Sequence, residues 1–385
     1  MRALVLGCSG PTLTDEERAL FADADPWGFI LFRRNIVSPA QVRALTAALR
    51  ACVGRPDAPV FVDQEGGRVQ RLGPPHWPPY PPGAIYGLME PQEARRGARL
   101  IAADLRAVGI TANCAPVLDV PAEGASDVIG DRALAADPQR VAVLGRAAVE
   151  GYLAGGVLPV VKHIPGHGRG NADSHRALPV VDTGEAELDA RDFAPFRALA
   201  DAPVAMTAHV VYSAIDPDNP ATVSPAVIAR VIRGRIGFHG LLLTDDLSMN
   251  ALSGTIGARA QAALAAGCDI ALHCNGLLSE MRELAALAPP LAGEAAARAR
   301  HALDLIRRAP AAFDPVQEPA AFDPVQEPAA FDPVQEPAAF DPVDERARFD
   351  AAVAAALAKR GFPADLLADA PKPGDPTEGA APVGA

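Results

Sequence analysis

Lys162, His163, His167, Asp173 and His175 crowd into one short segment just after the apolar run Leu158-Pro159-Val160-Val161. About seventy residues later Leu241-Leu242-Leu243 runs into Thr244-Asp245-Asp246, so two apolar runs each end in groups of the kind used as acids, bases and nucleophiles. Asp173 and His175 are two apart, and in extended chain such residues point to the same side. The carboxylate can therefore hold one imidazole nitrogen, fix the tautomer and favour the protonated ring, which makes a proton donor near neutral pH. If that loop folds over Asp245, a donor stands above a scissile bond and a carboxylate nucleophile below it. This is the arrangement of a retaining glycosidase, with an Asp-His dyad in place of the second carboxyl group. Asp246 is the rival nucleophile, but neighbours on a strand face opposite ways, so only one of the two can face the site.

Other chemistries fit less well. His163 and His167 are four apart, a metal-binding spacing on a helix, but Pro165, Gly166 and Gly168 forbid a helix there and no Glu lies between them. No metal and no cofactor is expected. The loop Gly166-His167-Gly168-Arg169-Gly170 lacks the Gly-Lys-Ser/Thr ending of a phosphate cradle. Its glycines are read as letting the loop move.

The elements that must position these groups are legible as eight apolar runs bounded by turn signals. They are Ala3 to Gly7, Phe29 to Phe32, Val60 to Asp63, Thr111 to Asp119, Leu158 to His163, Val204 to His209, Gly240 to Asp245 and Asp269 to Asn275. Helical stretches lie between most of them. Their starts are marked by Thr14 with Glu17, Ser38-Pro39, Asp137-Pro138 and Ser224-Pro225, and several stop at a glycine, as at Gly109, Gly155-Gly156 and Gly267. Alternation of this kind argues for an α/β fold, a single (β/α)8 TIM-type barrel over residues 1–310, with residues 279–309 closing it. Asp63, Asp119, Lys162, His163, His209, Asp245 and Asn275 then share the C-terminal rim, where barrel enzymes carry their sites. Any one of them alone reads equally well as a turn former or cap.

Beyond the barrel, Ala-Ala-Phe-Asp-Pro-Val-Gln-Glu-Pro repeats with phenylalanines at Phe313, Phe322, Phe331 and Phe340. Two prolines in nine residues exclude a regular helix or central strand, so 311–343 reads as an extended, disordered linker. A tail over 344–385 follows, with a short helix from Asp344 to Lys359. No partner for the tail follows from its sequence. Residues 311–385 carry 14 acidic and 5 basic side chains, leaving only −3 of the chain's net −12 to residues 1–310. No Lys/Arg cluster suggests nucleic acid or an anionic membrane surface as partner. No apolar run approaches the roughly 20 residues of a membrane span. Five cysteines, with no CxxC among them, suit a reducing compartment. Val5-Leu6-Gly7-Cys8 imitates a lipoprotein cleavage site, but too few apolar residues precede it for a signal segment. A cytoplasmic monomer acting on a small molecule is the expectation.

Five motifs, in order, carry a family resemblance: Val62-Asp63-Gln64-Glu65-Gly66-Gly67-Arg68-Val69, Ile129-Gly130-Asp131-Arg132, Lys162-His163-Ile164-Pro165-Gly166-His167-Gly168, Asp173-Ser174-His175 and Thr244-Asp245-Asp246-Leu247-Ser248-Met249. Over residues 1 to about 300 the chain resembles the bacterial β-N-acetylhexosaminidases of glycoside hydrolase family 3. The resemblance implies an exo-acting retaining enzyme that removes terminal N-acetylglucosamine from muropeptide fragments carrying anhydro-muramic acid, in cytoplasmic peptidoglycan recycling. It implies Asp245 as nucleophile, His175 with Asp173 as the acid/base dyad, and Asp63, Arg71, Arg132, Lys162 and His163 as the residues gripping sugar hydroxyls. Ile164 and Leu134 stand where the family often has aromatic residues. The repeats have no counterpart in the resemblance, nor does the chain hold the second α/β domain from which β-glucosidases of the family draw a glutamate acid. Three alternatives remain open from the residues: a related β-glucosidase, a β-N-acetylglucosaminide phosphorylase, since a histidine acid leaves room for an anionic acceptor, and an inactive sugar-binding scaffold.

Overall fold

Runs such as Leu4-Val5-Leu6 and Leu241-Leu242-Leu243 offer no polar face to water, so they are stable only as strands covered on both sides. A computed structural model describes residues 1–174, 177–307 and 340–359, and in it these runs are fully buried. Eight parallel strands close into a barrel: β1 (Arg2–Leu6), β2 (Pro26–Leu31), β3 (Val60–Val62), β4 (Ala112–Asn113), β5 (Leu158–Ile164), β6 (Val204–Thr207), β7 (Leu241–Asp246) and β8 (Ile270–His273), with β1 paired to both β2 and β8. Alternate residues separate into two cores. Ala3, Val5, Ile30, Phe61, Val160, Met206, Leu243 and Leu272 fill the interior. Leu4, Leu6, Val62, Val161 and Leu242 face the surrounding helices. The barrel is thus a packed body whose chemistry is confined to its rims.

The helices begin where the sequence places their caps. Thr14 and Glu17 form a reciprocal capping box at α1 (Asp15–Ala24), and Ser38 and Asp137 cap α2 (Pro39–Cys52) and α4 (Pro138–Ala154). Between the latter two lies α3 (Pro91–Ala107), which packs extensively on α4. Ser224 caps the turn leading into the π-wound segment Val227–Arg235. After β7 and β8 come α5 (Ile256–Ala266) and α6 (Leu278–Leu287), and then α7 (Gly293–Arg307). Ala299, Ala302 and Leu303 of α7 join the interior cluster, so this helix lies across the N-terminal mouth and leaves the C-terminal mouth open.

Two sequence expectations change in detail. The expected strand from Thr111 to Asp119 is regular only over Ala112–Asn113, because Pro116 has no N–H for the ladder; an isolated pairing of Val117 with Lys162 resumes it. The helix expected from Asp344 to Lys359 starts at Pro342 and forms α8 (Pro342–Lys359), which is docked against α3 and the short helix Gly83–Tyr86. Residues 311–339 of the expected linker and 360–385 of the tail lie outside the described residues. Among the described residues no helix is long and apolar enough to cross a membrane.

Candidate active site

The C-terminal mouth holds a cleft open to solvent, lined by residues from several strand ends. One wall is ionic. Asp63, just past β3, accepts from Lys162 Nζ at 2.8 Å and from Arg71 at 3.3 Å. Glu65 accepts from Arg132 through both Nε (2.9 Å) and an NH2 group (2.8 Å) and also lies 2.7 Å from Lys162 Nζ. Lys162 therefore sits between two carboxylates, and a cluster of alternating charge faces the cleft. Burial alone would raise the Asp63 pKa, but Lys162 and then Arg71 hold its carboxyl below the usual range. Glu65 behaves alike under Arg132 and Lys162, while its carboxylate and that of Asp63 keep Lys162 protonated against burial.

This wall is fixed by further residues, Gln64 and Asn113 behind it and Arg68 at its edge. Gln64 and Asn113 exchange hydrogen bonds: the Gln64 N–H donates to Asn113 Oδ1 at 2.9 Å and Asn113 Nδ2 donates to the Gln64 carbonyl at 2.9 Å. Gln64 Oε1 then accepts from the N–H groups of Arg71 and Leu72, both at 3.0 Å, which sets the backbone that carries Arg71. Arg68 reaches across to Asp131 at 2.9 Å and to the Val128 carbonyl at 2.7 Å, tying down the segment that carries Arg132.

The histidine-rich segment divides by role. His163 Nδ1 meets Asp119 Oδ2 at 2.7 Å, which orients the ring and leaves Nε2 towards the cleft that His163 lines. Asp119 is completely buried and also accepts from the N–H of His167 at 2.6 Å. His167 itself is buried, its ring edge-on to His163 at 5.8 Å between centroids, and burial pushes its pKa down to about 4, so it is neutral at physiological pH. The loop's glycines serve close packing: a Cβ on Gly168 would lie 2.0 Å from the Val120 carbonyl oxygen, and Gly166 has φ +139°. The N–H groups of Ala122 and Ser126 donate to the carbonyls of Gly168 and Gly170, so the loop expected to be mobile is hydrogen-bonded along 168–170. It then crosses the mouth: the Ser174 carbonyl accepts from the Ala251 N–H at 3.2 Å, on the β7 side. Asp173 is half-buried and its carbonyl accepts from Ala177. His175 lies outside the described residues.

At the end of β7 the two aspartates part ways. Asp246 Oδ1 accepts from the N–H groups of Ser248 (3.0 Å) and Cys274 (3.1 Å), and Oδ2 accepts from Ser248 Oγ at 2.5 Å, so this carboxylate closes the turn after the strand. Asp245 lines the cleft with Lys162, His163, Met206 and Met249, and Oδ1 of Asp245 accepts from the Asp246 N–H at 2.8 Å. Asp246 borders the cleft as well, so the expectation that only one of the pair faces it does not hold where the strand ends and the chain turns. Of the seven rim residues, His209 and Asn275 are occupied elsewhere. His209 is buried between Thr222 Oγ1 (2.7 Å) and the Asp246 carbonyl (2.9 Å), and Asn275 donates to Glu280 at 2.7 Å. Glu65 is the cleft residue that reading the sequence overlooks, although it stands inside a quoted motif. Its partners Lys162 and Arg132 are far away in the chain, and no local pattern announces them.

The glycosyl hydrolase family 3 N terminal domain matches residues 5–302. The β-hexosaminidase of Alkalilimnicola ehrlichii is 43% identical over 282 residues, 71% of this chain and 80% of that protein. The β-hexosaminidase of Pseudomonas aeruginosa is 42% identical over 294 residues, 74% of this chain and 86% of that protein. Among solved structures, NagZ from Neisseria gonorrhoeae in complex with N-trifluoroacetyl-D-glucosamine superposes with a TM-score of 0.71 at 33% identity, covering 80% of this chain and 92% of that one. A family 3 β-N-acetylglucosaminidase from Paenibacillus superposes at 0.74 with 31% identity, covering 91% of this chain and 67% of that one.

Proposed function

The chain belongs to glycosyl hydrolase family 3 and is a β-hexosaminidase of that family, and from that premise we propose that it is a retaining exo-β-N-acetylglucosaminidase of cell-wall recycling. Its substrate is a muropeptide fragment in the cytoplasm, N-acetylglucosamine joined to anhydro-muramic acid with or without peptide, and its product is the free amino sugar. The observation that carries the reading is the division of labour at the end of β7. Both residues line the cleft across from the Asp63–Lys162–Glu65–Arg132 cluster, but Asp246 is engaged through both oxygens by Ser248 and Cys274, whereas Asp245 Oδ1 accepts from the Asp246 N–H.

In this reading Asp63, Arg71, Arg132, Lys162 and His163 hold the hydroxyls of the terminal sugar, with donors and acceptors suited to a polyol. Asp245 attacks the anomeric carbon while His175, held by Asp173, gives its proton to the departing glycosidic oxygen. The glycosyl ester on Asp245 is then hydrolysed by a water molecule whose proton returns to His175, and the sugar leaves with its configuration retained. The loop crossing from β5 to Ala251 supports this, since it ends beside the segment that follows Asp245.

Trapping tests the reading directly. A fluorinated, slowly turned over N-acetylglucosaminyl donor should leave a glycosyl adduct on the peptide containing Asp245, read by mass spectrometry after digestion. An adduct on Asp246, or turnover with inversion, would overturn it. Release from aryl N-acetylglucosaminide should exceed release from aryl glucoside and should not depend on phosphate; the reverse would favour the glucosidase or phosphorylase alternatives.

A further inference from the structure

The family match ends at residue 302, yet α8 is built into the molecule some forty residues later. Asp341 caps it, accepting from the Val343 N–H at 2.8 Å, and Glu345, Phe349, Val353, Ala356 and Leu357 form one buried face. Phe349 is wholly buried between the rings of Tyr80 (6.2 Å between centroids) and Tyr86 (5.9 Å), in a notch that exists because residue 97 is glycine: a Cβ there would lie 2.9 Å from the Phe349 ring. Beside it Glu345 takes a hydrogen bond from Arg96 Nε at 2.6 Å with both groups buried, and Arg346 donates to the Pro79 carbonyl at 3.1 Å while lying 5.0 Å over the Tyr80 ring.

What α8 presses on matters more than how tightly it sits. The 78–86 segment beneath it is the backing of the sugar wall. Gln70 donates to the Pro78 carbonyl and accepts from the Tyr80 N–H, both at 2.8 Å, and the Gly67 N–H donates to the Tyr80 carbonyl at 2.8 Å. Gly66 and Gly83 approach so closely that added Cβ atoms would stand 2.2 Å from the Pro81 oxygen and 2.1 Å from the Arg132 oxygen. One face of this segment therefore seats the 66–70 hairpin leading to Arg71 and the backbone of Arg132, and the other face is held by Phe349 and Arg346.

We infer that α8 is a positioning element for substrate: by clamping Tyr80 and Tyr86 it sets the backbone that aims Arg71 and Arg132 at the sugar, so residues beyond the family-matched barrel tune substrate affinity. The inference rests on the reading of Arg71 and Arg132 as sugar-gripping residues. Asp245 stands at the end of β7, on a different strand from the hairpin and segment that α8 backs, so the expected signature is selective. In the full chain, Phe349→Ala should raise KM for an aryl N-acetylglucosaminide at least about fivefold while kcat stays within about twofold, assayed well below the variant's melting temperature. Phe349→Leu, which refills the notch, should return KM to within about twofold of the parent. Arg346→Ala, which opens no core cavity, should raise KM about two- to threefold even if Phe349→Ala proves too unstable to assay. A lowered melting temperature with unchanged KM in Phe349→Ala or Arg346→Ala would overturn the inference and leave α8 a purely stabilising helix. So would a fall in kcat at constant KM. Arg71→Ala run in parallel separates the two levels: an unchanged KM there refutes the gripping role itself, whatever the α8 variants do.

Discussion

Replacing Glu65 with glutamine tests whether the ionic wall depends on a residue that touches no reacting atom. In the structure Glu65 receives two bonds from Arg132 and one from Lys162, and all three side chains are at most 11% exposed. An amide keeps one accepting oxygen and turns an N–H2 group towards cationic donors. Hydrogen bonds to charged groups contribute about 1.5–3 kcal/mol each, and removing one partner of a buried pair costs about 3–5 kcal/mol. Glu65→Gln should therefore cost between about 2 and 5 kcal/mol in all, divided between fold stability and transition-state binding. Since about 1.4 kcal/mol is tenfold in rate, kcat/KM should fall about 10- to 100-fold, chiefly through KM, with a lowered melting temperature. Glu65→Asp keeps the charge but cannot span both cations, and it should fall between parent and amide. Steady-state kinetics on an aryl N-acetylglucosaminide and thermal denaturation of the same samples read both parts. If Glu65→Gln keeps kcat/KM within about twofold and melts normally, Lys162 and Arg132 hold their places without it and the reasoning fails.

Asp245→Asn should abolish turnover, whereas Asp246→Asn should lower stability by about 1–3 kcal/mol through its lost bonds to Ser248 and Cys274 while retaining measurable activity; kinetics and melting of the two variants side by side check this, and the opposite pattern would exchange their roles. His175→Ala should slow substrates with poor leaving groups about 10²- to 10⁴-fold while sparing activated aryl substrates, and equal losses on both would contradict the donor role. Burial holds His167 neutral down to about 4, against about 6.5 in an unfolded chain. Between those values the unfolded chain takes up a proton that the fold excludes, so stability should decline as pH falls from about 6.5 towards about 4. Buried His209 is depressed in the same sense, and the depressed carboxyls of Asp63, Glu65 and Asp119 lose their contributions at lower pH, so His167→Gln should reduce the slope of the upper limb and leave the acid limb unchanged in a melting-temperature profile. Gly168→Ala should lower both melting temperature and activity, because its Cβ would lie 2.0 Å from the Val120 oxygen; normal melting would show that the loop yields freely.

Strand number, barrel class and the helix starts at Thr14, Ser38 and Asp137 were legible because each rests on local physics: an apolar run that needs covering, a side-chain oxygen that meets an orphan N–H. The quoted motifs mark many of the residues that line the cleft, but strand alternation did not separate Asp245 from Asp246, since both border it and only their hydrogen bonds differ. Less was legible about employment. His209 and Asn275 occupy rim positions as suggestive as that of Lys162, yet Thr222 and Glu280 engage them. Glycines that suggested a moving loop proved to admit Val120 and Asp192 at close range.

By itself, then, the sequence determined the periodicities, the caps and the inventory of ionisable groups at strand ends, since these depend on residues a few positions apart. Only the tertiary structure decided how charges distant in the chain pair: Glu65 with Arg132 and Lys162, Asp119 with His163, and Glu345 of α8 with Arg96. The physical reason is that a pairing energy depends on distance in space and on exclusion of water, and neither is set until the barrel closes and α8 docks.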